Sequence, residues 1–322
     1  MKSKTGIMKV KDNFDIWDFV QKNSIWLIFV ICIVFFSIMT PNFLRVRNIT
    51  NIFLQSSFIG IMSIGMTYLM IDGNFDLSMG SIMALSAVLV IGFMDYGIPV
   101  AVLLSLLAGS AIGALNGLFV TKAGINAFIV TLGSMLGVRG LVYIYTGERA
   151  LVSSELAFSE ISAASVGPIP LPVLIFLIML ILGELVLRYT SHGRGCYAIG
   201  GNYEAAVNAG IKVDKHIIIN FILAGFTAAL AGILMASRMN AATPTLGMED
   251  HMIVITAVVL GGTKLDGGFG NLIRTLGGVL VIGMIRNGMN LLNVHSYVNM
   301  LIMGLILISV VYMDQKFDPL EE

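Results

Sequence analysis

The chain has 322 residues, a formal net charge of zero, 57% hydrophobic residues and 12% charged ones. Soluble domains carry about 25% charged residues, so half that load, with a mean hydropathy of +0.91, excludes an ordinary soluble globule. The neutral balance also excludes the basic footprint of a nucleic-acid-binding protein.

Residues 1–24 are polar, with Lys2, Lys4, Lys9, Lys11 and Lys22, and read as a cytoplasmic tail. Apolar runs follow at 25–39, 52–71, 79–94, 98–121, 125–146, 171–187, 216–237, 251–263, 272–292 and 297–313. A membrane-spanning helix needs about 20 apolar residues. The fold class is therefore an all-α polytopic membrane protein of about ten transmembrane helices over 25–313, with a second tail at 314–322. The first run lacks a small-residue cleavage site after it and reads as a retained anchor. The run at 251–263 is short and reads as a re-entrant or broken helix. Cys32 lies in the first run and Cys196 in a polar segment, at different depths, which argues against a disulfide.

Charge sets an expected orientation. Segment 188–215 carries Arg188, Arg194, Lys212 and Lys215, whereas 147–170 carries Glu148, Glu155 and Glu160 against Arg149. Cytoplasmic loops favour Lys and Arg, so 188–215 and both termini are expected inside. Lys122 agrees with this scheme; Arg45 and Arg47 oppose it. Gly109, Gly113 and Gly117 recur every four residues, and Gly133 and Gly137 repeat the spacing, as in faces where membrane helices approach closely. Residues 51–66 loosely echo 219–235, which leaves open two inverted pseudo-symmetric halves of five helices.

The polar segment 193–213 reads GRGCYAIGGNYEAAVNAGIKV. Gly200 and Gly201 suit a tight turn. Asn202 suits a helix cap, Glu204 the first turn, where the helix dipole favours negative charge, and Gly210 the helix end. Ala205, Ala206 and Ala209 would let a partner groove close on such a helix. An ordinary loop with one helical turn fits these residues too. Residues 255–270, ITAVVLGGTKLDGGFG, place two glycine pairs around Lys264 and Asp266. That backbone suits a cavity lining or a tight interhelical turn. The phosphate-binding pattern G-x-x-x-x-G-K-[ST] is missing, so the sequence has no ATP site of that kind.

Asp72, Asn74 and Asp76 alternate like the start of a calcium loop, but Leu77 replaces the required glycine and Met83 the closing glutamate. Asp76 reads as a cap for the third span or as a pathway residue. Arg286, Asn290 and Asn293 share a helix face beside Asn287, suiting hydrogen bonds to solute hydroxyls or between helices. His192, His216, His251 and His295 are scattered without metal-ligand spacing, and no catalytic constellation is evident.

Six motifs then bear on family. They are Asp76-Leu77-Ser78-Met79-Gly80-Ser81, Asn116-Gly117-Leu118 with Val120-Thr121, Phe128-Ile129-Val130-Thr131-Leu132-Gly133, Tyr197-Ala198-Ile199-Gly200-Gly201-Asn202, Ala257-Val258-Val259-Leu260-Gly261-Gly262-Thr263 with Gly267-Gly268, and Asn287-Gly288-Met289-Asn290-Leu291. In this order they resemble the ribose-type sugar permeases of bacterial ABC importers, over nearly the whole chain. The sequence departs from that pattern at Asn74-Phe75 and at Arg274. The resemblance implies a bacterial inner-membrane subunit that is not itself an enzyme and holds no cofactor, with ATP and magnesium bound by a separate ATP-binding cassette subunit. It also implies a second permease subunit, expected to be identical, and an external sugar-binding protein. Gly200, Gly201, Asn202, Tyr203, Glu204, Ala205, Ala206 and Gly210 would form the coupling segment that docks on the ATP-binding subunit. Asp76, Asn116, Asn126, Phe128, Asn287 and Asn290 are the candidates for the translocation pathway. A related permease for branched-chain amino acids or nucleosides shares this architecture. An ion-driven transporter fits less well, because the apolar runs carry almost no ionisable residue away from their ends.

Overall fold

The structure is a computed structural model that describes residues 16–316; the parts of the expected tails at 1–15 and 317–322 lie outside the described residues. Ten apolar helices correspond to the ten runs. They are α1 (Ile16–Met39), α2 (Val46–Ile71), α3 (Met79–Gly92), α4 (Ile98–Lys122), α5 (Ala127–Thr146), α7 (Leu171–Tyr189), α10 (Val213–Met239), α11 (Asp250–Leu260), α12 (Leu272–Leu291) and α13 (Ser296–Lys316). Three others lie in the connections: α6 (Leu156–Ala163), α8 (Ser191–Gly201) and α9 (Tyr203–Asn208). Helix α1 begins within the stretch read as tail, and α13 ends within the other.

Among the described residues, six helices are long and apolar enough to cross a bilayer: α2, α4, α5, α7, α10 and α12. The shortness expected of 251–263 holds, since α11 has 11 residues. The run at 79–94 is also short, because α3 has 14 residues and, at 1.5 Å per residue, cannot span about 30 Å. Both short helices are largely buried, so irregular backbone at membrane depth is shielded by protein.

Helices α2 and α10 form the centre. Asn220 donates to the Tyr68 carbonyl (3.4 Å), Gly65 lies against Ala224 and Thr227, and the Arg238 guanidinium sits 5.6 Å from the Phe58 ring centroid. Rising numbers on one helix meet falling numbers on the other, so the two run antiparallel. Helix α10 packs on α3 and α4; α2 packs on α11 and α12. This exchange of partners, with antiparallel central helices, is the pattern an inverted repeat requires.

The first glycine ridge has a clear role. A Cβ at Gly109, Gly113 or Gly117 would strike α10 at Gly225, Phe221 or Ile218. Side chains at these positions would force α4 away and forfeit close van der Waals contact. Gly133 and Gly137 differ: a Cβ there would meet nothing within 4 Å, so the face of α5 that carries these glycines is open, while its other side packs on α3, where Ser81 donates to the Met135 carbonyl (2.9 Å). Two buried hydroxyls on α2 are satisfied inside the helix, Ser63 on the Ile59 carbonyl (2.8 Å) and Thr67 on that of Ser63 (2.7 Å). The outer helices expose Val30, Leu103, Ile144, Ile181 and Ile308, an apolar girdle suited to lipid. On the face opposite 188–215, residues Leu151–Val152 pair antiparallel with Ala241–Ala242. Cys32 and Cys196 are both free.

Candidate functional site

The polar segment folds as two short helices. Thr190 starts α8, its hydroxyl accepting from the Gly193 amide (3.3 Å). Asn202 is extended (φ −160°, ψ 103°), which ends α8, and its side-chain oxygen accepts from the Ala205 amide (2.8 Å) to cap α9. Glu204 lies in the first turn of α9, as expected. At the other end, Gly210 adopts φ +78°, while its amide donates to the Val207 carbonyl (2.9 Å) and that of Ile211 to the Ala206 carbonyl (3.1 Å). This is the Schellman pattern, and the left-handed position favours glycine. Within α9 only Ala206 is buried; Tyr203, Glu204, Ala205, Val207 and Asn208 are exposed.

Three glycine segments, far apart in sequence, meet beneath α9. A Cβ on Gly200 would strike the Ile71 carbonyl at the end of α2 and the Gly268 amide. Gly268 donates to that Ile71 carbonyl (2.9 Å), and Gly267 lies against Gly200 and Gly73. Tyr197 donates to the Gly270 carbonyl (2.6 Å), fastening α8 to the 261–271 turn. The turn leads into α12, whose first amide, Leu272, donates to the buried Glu184 on α7 (2.9 Å); Glu184 also accepts from Arg188 (2.5 Å). A cavity of about 550 Å³ opens beside the junction, lined by Asp72, Asn74, Thr121, Asn202, Glu204 and Asp266 among others. Burial pushes the Asp72 carboxyl up to about 7, against hydrogen bonds from Asn74 and Asn220 that lower it. Sequence reasoning picked out both glycine-rich segments without joining them, and missed Gly73 and Glu184. The signals available were the glycine in Asp72-Gly73-Asn74 and an acid three residues from the end of an apolar run.

The pathway candidates do not form one group. Asp76 and Asn116 come together, both buried: Asp76 accepts from the Ser78 amide (2.7 Å) and hydroxyl (2.5 Å), and Asn116 reaches the Ser78 hydroxyl (3.0 Å) and Asp76 (3.4 Å). Asp76 thus closes a turn on Ser78, the residue preceding α3, and does not itself cap that helix. Asn126 caps α5 by accepting from the Phe128 amide (2.8 Å), and the Phe128 ring is exposed against the edge of Phe75. Asn287 exchanges two hydrogen bonds with Asn48, each 2.9 Å, locking α12 to α2, so it answers the interhelical reading. Asn290 is exposed one turn away.

Arg139 was overlooked. It stands in the middle of the fifth apolar run and donates to the carbonyls of Pro244 (2.6 Å), Leu246 (2.8 Å) and Gly80 (3.1 Å). It therefore ties the first turn of α3 to the irregular segment before α11, contrary to the expectation that the runs are almost free of ionisable groups away from their ends. The histidines also differ from expectation: His192 and His216 stack with ring centroids 4.8 Å apart.

Comparison with known proteins bears on this geometry. The family described as branched-chain amino acid transport system / permease component matches residues 48–311. The chain belongs to this permease family. The ribose import permease of Bacillus subtilis (strain 168) is 38% identical over 301 residues, 92% of this chain and 94% of the relative. The ribose import permease of Escherichia coli (strain K12) is 38% identical over 307 residues, covering 93% and 95%. The D-allose transport system permease of the same strain is 34% identical over 302 residues, covering 93% and 92%. No solved structure matches the permease.

Proposed function

We propose that this permease is the membrane subunit of an ATP-driven importer and carries a monosaccharide, a pentose or hexose, across a bacterial inner membrane. One observation carries the reading: relatives named for ribose, D-allose and L-arabinose align along more than nine-tenths of the chain. The proposed importer has two copies of this chain, two ATP-binding subunits and an external sugar-binding protein. The face bearing 188–215 and both termini is cytoplasmic in this scheme, supported by Arg188, Arg194, Lys212 and Lys215.

In the proposed mechanism, α9 docks on the ATP-binding subunit. Its exposed Tyr203, Glu204 and Val207 supply the contact surface. Motion of α9 passes through α8 to Gly200, where backbone meets backbone at Ile71 and Gly268. No flexible side chain lies between to absorb the displacement. Ile71 ends α2 and the 261–271 turn leads into α12, so a push on α9 reaches the central α2 and the α12 packed on it. ATP must bind the inward and outward states with different affinity, or no work is done. Pathway roles for Asp76, Asn116, Asn126, Phe128, Asn287 and Asn290 belong to the same proposal, with Asn126, Phe128 and Asn290 the exposed members.

Uptake into membrane vesicles holding the chain with its ATP-binding and binding-protein partners tests the reading. ATP-dependent uptake of one labelled pentose or hexose, requiring the binding protein, is expected. Glu204→Ala is expected to fold normally, because the residue is exposed, yet to uncouple ATP hydrolysis from uptake. Uptake of branched-chain amino acids in place of sugars, or uptake driven by an ion gradient without ATP, would overturn it.

A further inference from the structure

Helices α8 and α10 bring together three side chains with metal-ligating chemistry. His192 and Cys196 lie one turn apart on α8, and His216 stands in the first turns of α10, 20 residues beyond Cys196. One ligand atom from each lies within 4.8 Å of the others. The Nδ1 atoms of His192 and His216 face each other at 2.9 Å, and Cys196 Sγ is 3.7 Å from His192 Nε2. Two imidazole nitrogens this close need a shared proton or a cation between them.

The surroundings hold the group in place. Asn220 Oδ1 lies 2.9 Å from His192 Nε2, while its Nδ2 is 3.2 Å from Cys196 Sγ and donates to Asp72 (2.7 Å). A carboxylate thus orients an amide, which orients two candidate ligands, in the manner of outer-shell partners at metal sites. Gly195 makes room for the third: a Cβ there would fall on the His216 ring. Cys196 is buried and the two histidines are half-buried, so the group is shielded and still reachable.

We propose that His192, Cys196 and His216 bind a borderline-soft divalent transition-metal ion of zinc-like chemistry, joining α8 to α10. Two imidazoles and a thiolate favour such ions over magnesium or calcium. Bond lengths of about 2.0–2.1 Å to nitrogen and 2.3 Å to sulfur put tetrahedral ligands about 3.3–3.6 Å apart. Side-chain rotation opens the 2.9 Å pair of Nδ1 atoms slightly and closes the wider separations, none above 4.8 Å, by roughly an ångström, and water takes the fourth position. Binding displaces the thiol proton to solvent as the metal–sulfur bond forms. The site rests on this geometry alone and stands whether or not the permease imports a sugar.

Cobalt(II) is the probe, because its thiolate charge-transfer and tetrahedral d–d bands report the ligand set. The full-length purified chain, kept reduced, is titrated with cobalt(II) and then with zinc(II). One cobalt per chain, a near-ultraviolet charge-transfer band and displacement by zinc are expected. Cys196→Ser should abolish that band and Cys32→Ser should leave it. His192→Ala and His216→Ala should each weaken binding at least tenfold, with size-exclusion profiles confirming that the variants fold. His216→Gln, which keeps a polar side chain, provides a milder variant with the same expected loss. No charge-transfer band up to millimolar cobalt, or a band that persists in Cys196→Ser, would refute the site and leave a hydrogen-bonded cluster.

Discussion

Gly200 and Gly201 are adjacent and chemically identical, yet the structure assigns them opposite tolerances. A methyl group on Gly200 lands on the Ile71 carbonyl and the Gly268 amide, whereas on Gly201 it meets nothing within 4 Å. Carbon needs about 3.5 Å from its neighbours, so Gly200→Ala must part the α8 backbone from the end of α2. Overpacking of this kind costs about 1–3 kcal/mol. Loss of the 2.9 Å bond from Gly268 to Ile71 adds about 1 kcal/mol. The sum is about 2–4 kcal/mol, or an apparent Tm lower by roughly 3–6 °C for a chain of this size. Gly201→Ala replaces an exposed helical glycine and should be neutral or stabilising by up to about 1 kcal/mol. Thermal unfolding of the two purified variants, followed by intrinsic fluorescence, decides the matter. Equal stability of both, in either direction, would refute the backbone-to-backbone junction and remove the proposed route from α9 to α2.

The reciprocal pair Asn48–Asn287 should behave as a unit: Asn48→Ala, Asn287→Ala and the double variant should lose similar stability, with a coupling of about 0.6–1.7 kcal/mol in a double-mutant cycle. Strict additivity would show that the pair is not formed. Arg139→Lys should impair folding nearly as much as Arg139→Ala, because an ammonium group cannot reproduce a planar fork serving three carbonyls; wild-type expression and unfolding temperature for the lysine variant would count against that role. Asp72 gives a pH signature. Its folded pKa is raised to about 7, above the ordinary value of about 3.9, so the folded state holds a proton that the unfolded chain has lost between those values. Stability attributable to Asp72 is therefore greatest below about pH 4 and falls as pH rises towards 7. Asp72→Asn should remove that fall, seen as unfolding temperatures that diverge in the variant's favour from pH 5 to pH 8; parallel profiles would contradict it.

The number and order of apolar helices, the cap at Asn202 and the glycine end at Gly210 were legible in the sequence, because each depends on short-range pattern; the cap at Asn126, read there only as a pathway candidate, was not. The small-residue spacing on α4 was equally legible, since a helix repeats its face whatever packs on it. The same spacing on α5 shows the limit: Gly133 and Gly137 have the pattern and meet no partner in the described chain. Shortness of the third apolar run escaped notice because α3 is held by Arg139 at its first turn and by packing on α10, neither of which a local window reports.

What the sequence determined by itself was a helical membrane protein of this permease type, with a polar segment that forms a capped helix. Composition and short-range periodicity carry that information. Tertiary structure alone decided that Gly73, Gly200 and Gly267 share a junction, that Asn287 serves an interhelical lock, and that His192 meets His216. These groupings join residues dozens to hundreds of positions apart. The glycine junction and the histidine pair share a face because α2 ends and α10 begins there, the two running antiparallel at the centre, while the Asn48–Asn287 lock lies at the other end of α2.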